Sequence, residues 1–176
     1  MYTQYLRILA SDRSATRRVT DPPRAGFLNY WCSMRMNQQH ARWLARLVVG
    51  AVFFFNVTCA LAFIAQPDRY AGAFEVGGVP GRTLVRGMGI LFLMWNATHP
   101  PVLARPARNR TLFAVVLVQQ AVGLAGEVWM WATLPPGHAI LQTTGWRFIL
   151  FDGAGLVGMG IAFWLLARAE RAPSPT

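Results

Sequence analysis

Three ionisable residues lie inside otherwise apolar stretches of the sequence, and these residues have the types that can do chemistry there. Arg86, Glu127 and Asp152 each interrupt a run long enough to cross a membrane. A charged side chain at such a position costs a few kcal/mol on insertion scales, so it usually faces the bundle interior and a partner. A carboxyl group in that setting either pairs with a guanidinium or takes up a proton.

These residues also share one depth in the predicted bundle. At a rise of about 1.5 Å per residue, Glu127 and Asp152 lie about 7 Å outward from their span centres, and Arg86 about 11 Å outward on the same side. Arg147 lies slightly further out, and Gln120 shares a helical face with Glu127. The candidate ligand-binding residues are therefore Arg86, Glu127, Asp152, Arg147 and Gln120.

Three interpretations of this polar cluster are open. In the first, Arg86 and Arg147 neutralise the two carboxylates and the cluster is a structural ion network. In the second, Arg147 turns to the lipid headgroups, one carboxylate lacks a cation, and the cluster is a pocket for a small molecule or an ion. The third is a catalytic site, which nothing else in the sequence supports.

Other polar residues point to structure rather than to chemistry. The amides of Asn56, Asn96, Gln119 and Gln120 lie in the middle or inner half of their spans and predict bridges between helices rather than a conduction path. The sequence contains no HExxH, no CxxC, no phosphate-binding glycine loop and no nucleophile elbow. We therefore predict no catalytic residue, no metal and no cofactor.

The elements that position the cluster are four apolar runs of about 20 residues each, the length of a transmembrane helix. They cover residues 44–65, 83–104, 112–133 and 146–167. The chain is 54% hydrophobic and only 14% charged, whereas a soluble domain carries roughly a quarter charged residues. The predicted fold class is an all-α integral membrane bundle of four transmembrane helices.

The basic residues predict the orientation of the bundle. All 17 are arginine, and the formal net charge is +10. They flank the apolar runs instead of forming a soluble basic face, which argues against nucleic acid as a partner. They are concentrated before the first span, between the second and third, and after the fourth, so both termini are predicted to be cytoplasmic. A lysine-free, Arg-rich chain is typical of a GC-rich genome, and we predict the bacterial inner membrane.

The chain divides into a polar segment over residues 1–41, a transmembrane domain over 42–170 and a short cytoplasmic tail over 171–176. The first segment is interpreted either as disordered or as preceding a true start at Met34 or Met36. Within the domain, Arg86 and Asp152 each precede a Gly-x-Gly sequence near the start of a span. This similarity predicts a duplicated two-helix hairpin.

From Arg42 onward, most of the chain follows one plan. It has an Arg-flanked first span, an outer loop over Gln66–Gly81 and an entry to the second span over Arg82–Gly89. This plan resembles that of small bacterial four-helix membrane proteins of the DoxX-like kind. The resemblance implies a four-helix membrane fold and, from some members, a link to redox or quinone-linked processes. It implies no particular functional residue.

The sequence thus predicts a non-enzymatic membrane protein, an accessory or interaction subunit with a structural charge network. Its expected surroundings are the lipid bilayer and either membrane protein partners or further copies of itself. The alternative is the binding or transport of a small molecule, a quinone, an ion or protons at a polar pocket in the outer half of the bundle. The loops between spans are too short for a separate catalytic domain.

Overall fold

A computed structural model describes the backbone of residues 24–171, and the side chains of residues 38–171 except residue 170. Contacts divide the chain into Met1–Arg35 and Met36–Thr176, and only the second unit is discussed below. All regular structure in the described residues is helical. The elements are α1 (Arg24–Ala65), α2 (Pro67–Ala71), a 3₁₀ helix (Gly72–Phe74), α3 (Gly78–Asn96), α4 (His99–Ala104), α5 (Arg110–Ala132) and α6 (Ala139–Arg171).

The two ends of the chain are described only in part. Of the predicted polar N-terminal segment, residues 1–23 lie outside the described residues, and residues 24–41 belong to α1. Of the predicted cytoplasmic tail, residues 172–176 also lie outside them.

Three of the described helices are long and apolar enough to cross a membrane. They are α5 and the segments Gln38–Ala65 of α1 and Ala139–Ala169 of α6. Many large apolar side chains on these helices are exposed, among them Leu47, Val122 and Val157. Exposing such side chains to water costs about 25 cal/mol per Å², so this surface suits lipid. The all-α prediction is confirmed for the described residues, and the three helices are compatible with a membrane protein.

The second predicted span is divided, whereas the sequence predicts one helix over residues 83–104. Helix α3 ends at Asn96, a short turn follows, and α4 begins at His99. In a continuous helix, the ring of Pro100 would clash with the carbonyl group of Asn96 and would supply no N–H. Starting a new helix places this proline in the first turn, where neither problem arises. Because α3 is not among the helices apolar enough to span a membrane, the fourth crossing is not confirmed.

Two buried clusters hold the helices together. The smaller cluster packs Phe63 of α1 against Val85 of α3, with Phe148 of α6 beside them. The larger cluster joins α1, α4, α5 and α6 through Val49, Val102, Phe113, Val116, Met159 and Leu166. The larger cluster alone contains apolar residues from four helices, so this packing determines which faces of those helices turn inward.

The two Gly-x-Gly sequences lie in different surroundings. A Cβ atom added to Gly89 would lie 2.7 Å from the backbone oxygen of Ala60, and one added to Gly155 would lie 3.1 Å from Val52. The second glycine of each sequence therefore allows a close approach to α1. However, α3 is followed by a break and a short helix, while α6 is continuous. A duplicated hairpin is not confirmed.

Candidate functional site

A cavity of about 430 Å³ lies among α1, α3, α5 and α6, and residues of α2 and the 3₁₀ helix also line it. We call α2 and the 3₁₀ helix together the roof segment. The walls are largely aromatic. The rings include Phe55, Phe63, Phe92, Trp95, Phe148 and Phe151. A concave, mainly apolar site with a few convergent polar groups is the usual form of a small-molecule site.

Four of the five candidate residues line this cavity. Gln120 and Glu127 reach it from α5, and Arg147 and Asp152 reach it from α6. Because Gln120 and Glu127 share a face of one helix and Asp152 lies at the depth of Glu127 on the next, the helix packing brings the three together. Arg147, by contrast, has an exposed side chain although it contributes to the lining.

Arg86 lies away from the cavity. Its side chain is exposed, and its Nε donates a hydrogen bond to the backbone oxygen of Ile64 at 3.4 Å. Helix α3 turns Val85 and Gly89 into the bundle, and Arg86 is rotated about 100° from Val85 on a helix of 3.6 residues per turn. In the part of the chain that the structure describes, neither Arg86 nor Arg147 forms an ion pair with Glu127 or Asp152.

The carboxyl groups of Glu127 and Asp152 form a pair, each within hydrogen-bonding reach of the other. Two carboxylates this close repel each other, so the pair favours either a shared proton or a bound cation. Gln120, which is only 2% exposed, holds the Asp152 carboxyl group through its side-chain amide. Its Nε2 donates to Asp152 Oδ1 at 2.9 Å and approaches the Asp152 backbone oxygen at 3.3 Å.

The amide side chains allow the predicted bridges to be compared with the structure. Gln119 accepts a hydrogen bond from the Thr98 hydroxyl at 3.0 Å, which joins α5 to the turn between α3 and α4. Asn96 instead donates from Nδ2 to the Phe92 carbonyl group in its own helix at 2.8 Å, and it lines the cavity. Sequence reasoning missed the aromatic wall, although Phe148, Phe151 and Asp152 have the spacing of residues on one helical face.

The roof segment is tied to the start of α6 through Glu75, which follows the 3₁₀ helix. The Glu75 carboxylate accepts hydrogen bonds from His138 Nδ1 and from the Leu141 backbone N–H, the latter at 3.2 Å. A negative group at this position also complements the N-terminus of α6. The hydrogen bond from His138 lowers the pKa of Glu75 below its usual value of 4.5. Tyr70 and Phe74 of the roof segment line the cavity, so this contact holds one of its walls.

Acid is expected to release the roof segment. Because the pKa of Glu75 is lower in the folded protein than in the unfolded chain, its contribution to stability is fully present above the unfolded value of 4.5 and is lost as the pH falls through the lowered value. The protection factors of residues 67–77 in hydrogen exchange, which correct for the intrinsic rate at each pH, should therefore fall below that pH in the wild type. A Glu75→Gln variant should exchange faster at neutral pH and show a weaker pH dependence. An identical pH profile in both proteins would contradict this role of Glu75.

No group of three or more His, Cys, Asp and Glu side chains within residues 24–171 is arranged to hold a metal ion. The fold and cavity define a class of protein: an all-helical chain with three membrane-capable helices around an aromatic cavity that contains a buried carboxyl pair. No protein-family model matches the sequence, and no curated protein or solved structure matches it.

Proposed function

We propose that this chain is a multi-pass membrane protein that binds a small molecule in the aromatic cavity. The observation that carries the proposal is the composition of the cavity: aromatic walls surround the Glu127–Asp152 pair, and no arginine forms an ion pair with it among the described residues. A structural charge network needs those arginine contacts, whereas a binding site needs open space beside polar groups. The pocket interpretation is therefore preferred to the structural network.

We further propose that α3 and α4 together complete a four-span bundle in a bacterial inner membrane, with both termini in the cytoplasm. Three arginines, Arg105, Arg108 and Arg110, lie close together between α4 and α5, on the proposed cytoplasmic side. On the other side, Arg82 donates to Asp68 at 3.0 Å, which reduces the positive charge there. The carboxyl pair and the roof segment then belong to the outer half, and the arrangement fits the DoxX-like plan.

The experiment is to purify the full chain from bacterial membranes in mild detergent and identify by mass spectrometry what stays bound. Its variant is Gly123→Leu, because Gly123 lines the cavity and a Cβ atom there would lie 3.1 Å from the Trp95 ring and 4.0 Å from Asp152 Oδ2. The control is Gly126→Leu, three residues along α5, where an added Cβ meets nothing within 4 Å.

The wild type and Gly126→Leu are expected to retain one small molecule in stoichiometric amount, and Gly123→Leu to lose it while staying folded. Other membrane subunits retained in stoichiometric amount without a small molecule would overturn the proposal and favour the accessory role. Equal retention by Gly123→Leu would place the molecule elsewhere and would also overturn it.

A further inference from the structure

Two of the polar atoms that the cavity residues bury lack a hydrogen-bond partner in the described part of the chain, and both are oxygens. One is Oδ1 of Asn96, a residue only 3% exposed, and the other is Oε2 of Glu127. The Asn96 amide is oriented by its own contact, since the atom 2.8 Å from the Phe92 carbonyl oxygen must be the donor nitrogen. Asn96 Oδ1 is therefore a hydrogen-bond acceptor, and Glu127 Oε2 belongs to the carboxyl pair.

Gln120, which also lines the cavity, already uses its buried amide donor. Gln120 directs its Nε2 at Asp152, through both Oδ1 and the backbone oxygen. The carboxyl pair adds further acceptor oxygens and attracts positive charge. Because buried acceptors are costly to leave unpaired, the cavity is best satisfied by a molecule that donates hydrogen bonds and carries a positive charge.

The aromatic walls favour the same kind of molecule. The rings of Phe55 and Phe151 meet edge to face with centroids 5.9 Å apart, and those of Phe92 and Phe148 do so at 6.4 Å. Ring faces attract cations and bury apolar surface, so such walls accept both the charged head and the apolar body of a lipophilic cation. A quinone only accepts hydrogen bonds through its carbonyl oxygens, so it leaves Asn96 Oδ1 unpaired.

The other charged and titratable residues at the cavity are Arg147, Cys59 and Tyr70. The Arg147 side chain is exposed and forms no ion pair with Glu127 or Asp152 among the described residues. Its positive charge on the cavity wall opposes a bound cation. Removing that charge should therefore strengthen the binding of a cation and weaken that of an anion.

We infer that the ligand is a protonated lipophilic amine, whose ammonium group donates to Asn96 Oδ1 and the Glu127–Asp152 pair while its apolar body lies between the aromatic rings. This inference rests on the proposed function and names its ligand class. An ammonium group supplies several N–H donors together with the charge. A quaternary ammonium supplies the charge alone.

Four probes with one carbon skeleton separate these contributions: 4-phenylbutylamine, its N,N,N-trimethyl derivative, 4-phenylbutanol and 4-phenylbutanoate. Their binding to the full-length protein in detergent is measured by titration calorimetry at neutral pH. The amine is expected to bind most tightly, and the trimethyl derivative about tenfold more weakly, the equivalent of one hydrogen bond of moderate strength. The alcohol should bind more weakly still, and the carboxylate should give no measurable heat.

Three variants test the residues behind this order. Glu127→Gln and Asn96→Leu should each weaken amine binding at least tenfold, and Arg147→Gln should strengthen it. Thermal unfolding of each variant shows whether the fold is intact. If Glu127→Gln does not fold, the order of the four probes on the wild type still decides the inference.

An alcohol or a carboxylate that binds as tightly as the amine would overturn the ligand class. The small-molecule function would then stand, provided that Gly123→Leu abolishes that binding. A wild type that binds none of the four probes more tightly than Gly123→Leu would also overturn the ligand class. The search for a retained native ligand decides the broader function separately.

Discussion

Replacing Gly89 with alanine is expected to lower the free energy of unfolding by about 1–3 kcal/mol, the usual cost of overpacking. The new Cβ would lie 2.7 Å from the Ala60 backbone oxygen and 2.8 Å from Ile64 Cγ1. The first of these neighbours is main chain, so relief requires α1 and α3 to separate. Because small residues permit the close contact that holds membrane helices together, separation also weakens the packing around this point.

Gly87 provides the matched control, because it lies on the same helix and an added Cβ there meets nothing within 4 Å. Gly87→Ala should leave stability unchanged or raise it by up to about 1 kcal/mol through helix propensity. Unfolding of both variants is followed by circular dichroism during titration of the detergent micelles with dodecyl sulfate. Equal midpoints for the two variants would show that α1 and α3 are not in close contact at Gly89.

The relative positions of Glu127 and Asp152 along their helices could be predicted from the sequence, because the rise of a helix is nearly constant. That regularity is why Gln120, Glu127 and Asp152 meet in one cavity as their spacing indicates. The direction in which a side chain points is a different quantity, since it depends on which face of the helix packs inward. Arg86 has a suitable depth, but packing at Val85 and Gly89 turns it away from the cavity.

The break between α3 and α4 shows why counting apolar runs was less reliable. Pro100 and Pro101 lie within the stretch predicted as one span, and proline is compatible with the first turn of a new helix but not with the interior of a continuous one. A composition average over the whole stretch does not register that difference. Both prolines lie inside the predicted span, which ends at Ala104.

The position of the roof segment could not be predicted from the sequence, for another reason. Glu75 and His138 are separated by 63 positions, and they meet only because the helices between them return to the same end of the bundle. No sequence pattern near either residue indicates the other as its partner. Tyr70 and Phe74, which line the cavity, lie on the segment that this long-range contact ties to α6.

Among the polar residues, the largest effect on stability is expected at Gln120. Gln120→Leu removes the donor to Asp152 Oδ1 and leaves that buried oxygen without its 2.9 Å hydrogen bond, which should cost about 1–3 kcal/mol. Asp152→Leu should also destabilise, because it leaves the Gln120 amide unpaired. The double variant has neither an unpaired Gln120 amide nor an unpaired Asp152 oxygen. Its loss of stability should therefore be smaller than the sum of the losses in the two single variants. We expect a coupling energy of about 0.5–3 kcal/mol.

A second cycle that combines Gln119→Leu with Asp152→Leu is the control. Gln119 is the neighbour of Gln120 on α5, but its hydrogen bond is with Thr98, so these two changes should be additive within about 0.5 kcal/mol. Additivity in the Gln120 cycle as well would mean that this amide does not hold Asp152 in place. Strong coupling confined to Gln120 would show that α5 holds the Asp152 carboxyl group firmly in the cavity, where it can receive an ammonium donor.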